Sequence, residues 1–290
     1  MKTYTTEIIN KQELEYSKGV IGLPKIYYRN IVGTRKPNLP FILTYEEQLE
    51  WTKCYLDIIY FAEKYCKIRG ADIILRDYQK ELIKSILNNR FNINASSLQS
   101  GITIVISIIG LYQSIFTNGY TSLIIGYNRS SVIEKLEKIK DIYISLPFFL
   151  KPGIQTWEST VLTFDNGSAI KTNSGSKSIA IGFSPDHTLI DGYAYMHPSL
   201  LNNILPVVSA RKNDKLTITS TPNGTNHFYE LFTDSERKEG DPKKNAFVPS
   251  RVYWWQVPGR DEEWKRKEIL NLGSEEQFNQ EYDLQFIKKK

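Results

Sequence analysis

Two short stretches of this 290-residue chain carry residue types suited to phosphate and metal chemistry. Asn94 to Gly110 reads NASSLQSGITIVISIIG, and with its flanks FNINA reads as a strand, SSLQSG as a loop and ITIVISIIGLYQSI as a helix. A loop of this kind offers backbone N–H groups and a helix N-terminus to a phosphate. Gly101 permits close approach, and Thr103 stands where a hydroxyl ligates magnesium. A lysine that would reach a β- or γ-phosphate is missing, because Ile102 occupies its place and has nothing to donate. On pattern alone a plain strand-to-helix turn is favoured. The second stretch, HTLIDGYAY, is an apolar strand ending in Asp191. An aspartate at a strand's carboxyl end, near a loop carrying Thr103, holds magnesium through water. The carboxylate that would orient an attacking water should follow it, but Gly192 follows instead. An isolated LID is otherwise a weak signal, since a strand-end aspartate more often caps a turn.

The elements that must position these residues alternate. FNINA, TSLIIGY, DHTLID and KLTITS read as short buried strands with helical stretches between most of them, an α/β signature. STVLTFDNGSAIKT places Asn166-Gly167 between two alternating runs, the pair a tight primed hairpin turn wants. Pro198 suits the first turn of a helix reaching about Ala210, and EEWKRKEIL and SEEQFNQEY read as two short helices. Upstream, the apolar positions Leu49, Leu56, Ile59 and Tyr60 predict one long helix from Glu46 to Lys67. The first forty-odd residues read as an irregular lead-in without a core of its own. The expected organisation is an N-terminal arm and helical subdomain over 1–70 and a core over 71–290.

Composition narrows the function classes. The longest apolar run, Ile102 to Leu111, is far short of the roughly 20 residues that span a bilayer, and MKTYTTEIIN has no apolar signal core, so an intracellular protein is expected. Cys54 and Cys66 lack CxxC spacing and read as reduced, buried thiols on one helical segment. His187, His197 and His227 lie on separate segments without an HxxxH pair, so no metal ligand is assigned among them. The net charge of +5 is spread out. Its local groups are Lys135, Lys138 and Lys140 on one helix, Arg211 with Lys212 and Lys215, and the terminal Lys288 to Lys290, and each reads first as a solvated face.

Several runs, in order, resemble the ATPase domain of the large terminase subunit of tailed bacteriophages, the motor that packages viral DNA. LRDYQKELI is similar to that family's adenine-recognising motif, and SLQSGIT, FFLKPGIQTW, FDNGSAI, LIDG, TITSTPNGTNHFYELF and EEQFNQEYDLQF follow. The resemblance covers roughly Asp72 to the C-terminus, and STPNGTNHFYELF is its most specific run. It implies a P-loop-type fold with a central, mostly parallel sheet flanked by helices and preceded by a helical subdomain. It also implies adenine contacts from Tyr78 and Gln79, phosphate contacts from Gln99, Gly101 and Thr103, and magnesium at Thr103 and Asp191. Ser220 and Thr221 fall in the segment that couples nucleotide state to motion. ATP and Mg are the implied cofactors. A capsid portal, a small terminase subunit and double-stranded DNA are the implied partners, with a ring oligomer, no membrane and the host cytoplasm as the place of action.

The departures from the family fall where charge is needed. Leu98 stands in place of an arginine, Ile102 of the phosphate-binding lysine, Ile181 of an arginine acting on the nucleotide, and Gly192 of the catalytic glutamate. Phosphoryl transfer depends on positioning and charge stabilisation, so hydrolysis is expected to be lost or severely impaired while weak ATP binding survives. One alternative is an active packaging ATPase whose charges come from Lys171, Lys177 or a neighbouring subunit. The other is a nucleic-acid-binding or portal-binding module that uses the helix at Lys135 to Lys140. The family's large subunit continues into a nuclease domain, and no cutting activity is expected of this chain.

Overall fold

The computed structural model describes residues 3–175 and 184–288. The helices are α1 (Thr6–Ser17), α2 (Tyr45–Leu56), α3 (Ile58–Tyr65), α4 (Asp77–Asn88), α5 (Ile102–Phe116), α6 (Arg129–Ser145), α7 (Ser199–Ser209), α8 (His227–Ser235), α9 (Glu262–Leu272) and α10 (Glu275–Glu281). The strands are β1 (Lys67–Ile68), β2 (Ala71–Asp72), β3 (Phe91–Ser96), β4 (Thr121–Gly126), β5 (Ile154–Trp157), β6 (Val161–Phe164), β7 (Ala169–Ser174), β8 (His187–Asp191), β9 (Lys215–Ser220) and β10 (Val248–Val252). Apart from the small β1-β2 hairpin, the strands form one sheet in the order β10-β3-β9-β8-β4-β7-β6-β5. The β10-β3, β3-β9 and β9-β8 pairs are parallel, and the β7-β6 and β6-β5 pairs are antiparallel. This is the mostly parallel, helix-flanked sheet that the resemblance implies, built on the α/β alternation of the sequence. No helix among the described residues is long and apolar enough to cross a membrane.

By contacts the chain divides into two compact units, one of Met1–Leu75, Ser107–Ser122 and Ile133–Lys171, the other of Arg76–Ile106, Leu123–Val132 and Thr172–Lys290. The first departs from expectation in several places. Its lead-in contains α1, whose N-terminal turn is capped by the Thr5 hydroxyl, and Ile9 packs with Ile26, Tyr27, Leu39 and Phe148. Ile9 is the only buried residue of that helix, so its apolar stripe is too narrow to show as a period. The predicted long helix breaks at Asp57, which takes an extended conformation (φ −138°, ψ 103°) and caps α3 by accepting from the Ile59 and Tyr60 amides. Cys54 and Cys66 are buried and free, with Cys54 in α2 and Cys66 just beyond α3. Burial pushes the Cys54 thiol up to about 12.

The hairpin between β6 and β7 forms, but not on a primed turn. The Gly167 N–H donates to Phe164 O at 3.1 Å, and of the turn residues only Gly167 has positive φ, at 83°. A primed turn of the Asn-Gly kind needs positive φ at both central residues, and Asn166 instead accepts from the Ser168 amide and donates to Ser114 O. The basic strip on α6 does not form either. Lys135 and Lys140 are buried, Lys138 is paired with Glu134, and Lys140 with Glu137 while lying 5.2 Å from the Trp157 ring centre. Long aliphatic stems covering apolar surface explain their burial.

In the second unit, Ile93, Ile125, Ile190, Leu216 and Ile218 form a core with Leu200, Ile204, Phe228 and Phe232. The strand β10, which alternation does not reveal, lies at the sheet edge, where Pro249 leaves no interior ladder bond unmade. Beyond it Trp254, Phe278 and Tyr282 make a separate aromatic cluster against Trp264.

Candidate functional site

Parallel pairing sends the carboxyl ends of β3, β8 and β9 to one edge of the sheet, the edge at which α/β folds bind ligands. There a cavity of about 220 Å³ is lined by the Ser96–Thr103 loop, by Tyr127 after β4, by Asp191, Gly192 and Tyr195 after β8, and by Thr219 to Thr221 at the end of β9. The Leu98, Gln99, Gly101, Ile102, Thr103, Asp191, Gly192, Ser220 and Thr221 positions singled out in the sequence therefore share one cavity. Ile181 and Lys177 lie outside the described residues. Lys171 is not on the lining.

The loop has a definite shape. Gln99 and Gly101 both adopt positive φ, at 58° and 82°. A Cβ built on Gly101 would come within 2.6 Å of Gln79 Nε2, so both the conformation and the close approach call for glycine. The N–H groups of Ser97, Leu98 and Ser100 donate to Val252 O, Glu281 O and Ser97 O. Those of Gln99, Gly101 and Ile102 meet no acceptor among the described residues. Closely spaced amides of this kind, those of Gly101 and Ile102 being consecutive, make an anion-receptive concavity.

Tyr78 and Gln79 on α4 are buried and off the cavity lining. The Tyr78 hydroxyl donates to Ser100 O at 2.6 Å, and Gln79 Nε2 donates to Gly101 O at 3.3 Å. Gln79 Oε1 meanwhile accepts from the Arg76 amide. Their polar ends are thus committed to the loop backbone and to the start of α4.

On the far wall Asp191 pairs in register with Thr219, whose hydroxyl donates to Asp191 Oδ1 at 2.9 Å. Gly192 is left-handed (φ 90°, ψ 34°) and opens a short 3-10 turn, Tyr193–Tyr195. Asn223 and Asn226 both donate to Ala194 O, and the Ala194 amide donates to the Ser220 hydroxyl. The STPNGTN run is therefore tied to the turn that follows Asp191. Tyr195 joins the same network through Thr221 Oγ1 at 2.9 Å and Glu281 Oε1 at 3.3 Å, and burial raises its phenol above the ordinary value.

Sequence reasoning missed four contributors: Arg76, Tyr127, Tyr195 and Arg260. Arg76 sits inside the LRDYQ run, and Tyr127 and Tyr195 flank strand ends that were already marked. Arg260 has no such signal: its Nη1 donates to Leu98 O at 3.0 Å across 162 positions of sequence.

As oxygen donors, the Thr103 hydroxyl and the Asp191 carboxylate suit a hard divalent cation. The three loop amides suit a phosphate chain. Asp191 is the only charged side chain among the described lining residues.

A family model described as terminase large subunit, T4likevirus-type, N-terminal, matches residues 93–290. Among solved structures, the chain is similar to the large terminase ATPase domain of Thermus phage P74-26, with 21% identity and a TM-score of 0.58, covering 74% of this chain and 100% of that one. It is similar to the large terminase of bacteriophage HK97, with 16% identity and a TM-score of 0.66 over 79% of this chain and 54% of that one. The large terminase of another thermophilic bacteriophage, solved in complex with ADP, matches at 12% identity and a TM-score of 0.57, over 73% and 54% of the two chains. At these identities the likeness is one of fold. The chain spans about half the length of the HK97 terminase and of the terminase solved with ADP.

Proposed function

The chain belongs to the terminase large-subunit family, T4-like-virus type, N-terminal part, and from that premise we propose that it is a packaging-motor ATPase module that binds Mg-ATP weakly without useful turnover. The observation that carries this reading is the cavity lining. The backbone amides, the hydroxyl of Thr103 and the carboxylate of Asp191 needed to hold a metal-bound phosphate chain are present, while lysine, arginine and glutamate are absent among the described lining residues. Positioning survives and charge stabilisation does not. Phosphoryl transfer draws its rate largely from the latter, and a single preorganised donor elsewhere is worth about 10² to 10³ in rate.

A cavity of about 220 Å³ is smaller than the roughly 300–1,000 Å³ of pockets that enclose a drug-sized ligand. It fits the phosphates, with the sugar and base outside. The phage terminase solved in complex with ADP supports a nucleotide as the class of ligand. Magnesium, when bound between Thr103 and Asp191, would neutralise phosphate charge. The chain's own groups supply direction: Gln99, Gly101 and Ile102 through their amides, and Thr219 by holding Asp191. Ser220 and Thr221, bonded to the Tyr193–Tyr195 turn, are the segment through which occupancy would reach the rest of the motor. A capsid portal, a small terminase subunit and double-stranded DNA are the partners of this reading.

Calorimetric titration with Mg-ADP tests the binding half. Binding that weakens on Asp191→Asn and on Thr103→Ala supports the site, and heat unchanged by both variants contradicts it. The basic-helix alternative loses its support, since Lys135 and Lys140 are buried.

A further inference from the structure

We infer that Arg260 is a positioning residue for the phosphate loop, one that orients the Gln99 amide toward the ligand side from a segment remote in sequence. The functional meaning rests on the nucleotide-binding reading above, whereas the clamp itself rests on geometry. Arg260 Nη1 donates to Leu98 O at 3.0 Å and to Ser97 Oγ at 3.3 Å, and Nη2 reaches Gln99 O at 3.5 Å. The guanidinium lies 4.6 Å from the Trp264 ring centre and 5.4 Å from that of Tyr282, so aromatic faces hold it in place.

A trans peptide is planar, and its C=O and the following N–H point opposite ways. Fixing the carbonyl of one residue therefore fixes the amide of the next. Arg260 holds Leu98 O, which directs the Gln99 amide. Arg76 (Nη1 at 3.4 Å) and Tyr78 hold Ser100 O, which directs the Gly101 amide, and Gln79 holds Gly101 O, which directs the Ile102 amide. The amides directed in this way are the three that meet no acceptor among the described residues. The Ser100 amide, which follows the longest contact, is consumed within the loop by Ser97 O. Side chains on the carbonyl side thus select which amides are offered to an anion.

An arginine suits the task because its planar fork reaches two consecutive carbonyls, whereas a lysine reaches one. No carboxylate among the described residues pairs with Arg260 within 4.0 Å, so its charge also adds to the attraction of an anion at a loop that carries no cation of its own.

The test uses the full chain with Arg260→Ala and Arg260→Lys. Hydrogen exchange at the amides of residues 98–102 is read in the free protein, and affinity for Mg-ADP and for inorganic tripolyphosphate is read by calorimetry. Arg260→Ala should speed loop exchange with β3 and β9 amides unchanged, and should weaken both ligands about tenfold, the scale of one charge-assisted hydrogen bond. Millimolar guanidinium should restore part of that affinity, which a loss of general stability would not allow. Arg260→Lys should fall between parent and Arg260→Ala, and it carries the test if Arg260→Ala does not fold. Loop exchange and affinity equal to the parent's overturn the inference. If the parent binds neither ligand, the nucleotide reading falls, and loop exchange alone still decides the clamp.

Discussion

Replacing Gly192 by alanine isolates a cost that any attempt to restore a glutamate there must meet. Gly192 sits at φ 90°, ψ 34°, held by its amide on Thr219 O at 2.9 Å and by its carbonyl, which accepts from the Tyr195 amide. An L-residue in the left-handed region costs about 1–2 kcal/mol relative to the right-handed one. The added Cβ would also stand 3.3 Å from Tyr127 Cδ1, but that ring is 56% exposed and can yield. The backbone term should therefore dominate. Gly192→Ala is expected to destabilise the chain by about 1–2 kcal/mol, or about 2–8 °C in Tm for a cooperative unit of this size. Urea unfolding followed by tryptophan fluorescence measures it, with Tyr127→Ala as the second change. A neutral or stabilising Gly192→Ala would refute the backbone argument. A cost that vanishes in the Tyr127→Ala background would assign it to the ring.

Three further outcomes follow from the same geometry. Gly101→Ala should cost about 2 kcal/mol, from left-handed strain plus the Gln79 bond it displaces, and should abolish Mg-ADP binding; denaturation and calorimetry check both. His187 is buried beside Thr217, and burial, aided by Lys215, pushes it down to about 3. The unfolded chain takes up a proton below about 6.5 and the folded chain does not, so this contribution is intact above pH 6.5 and falls as pH drops toward 3. The stability lost amounts to about 2 kcal/mol by pH 5, and that loss should be missing from the pH 7 to pH 5 difference in His187→Gln. Finally, Ile102→Lys with Gly192→Glu should regain magnesium-dependent phosphate release of roughly tenfold over the parent, held below the value of a full donor by the strain at residue 192. Either change alone should leave release at background.

Much of the sheet is legible because its buried strands are short runs bounded by turns, nearly continuous and apolar in TSLIIGY and alternating apolar with small polar residues in FNINA and KLTITS. The convergence of Gly101, Thr103, Asp191 and Thr221 on one cavity follows from those strands running the same way. What escapes is set by backbone angles and by contacts distant in sequence. Gly192 reads as a lost carboxylate, whereas its φ of 90° makes it a turn residue as well. Asp57 reads as one more polar position on a helix face, and only its extended φ and ψ reveal a break. α1 buries a single side chain, and β10 carries a proline that argues against a strand unless it is known to lie at an edge. Arg260 reaches the loop because the aromatic cluster of Trp254, Trp264 and Tyr282 folds its segment there, a placement that no local pattern encodes.

Single-turnover hydrolysis, with Mg-ATP binding measured in the same samples, tests the central claim most directly. The parent should bind Mg-ATP, Asp191→Ala should bind it more weakly, and both should release phosphate at the buffer rate. Phosphate release by the parent above that rate, abolished by Asp191→Ala, would contradict that claim and would mean that the missing charge reaches the nucleotide from elsewhere.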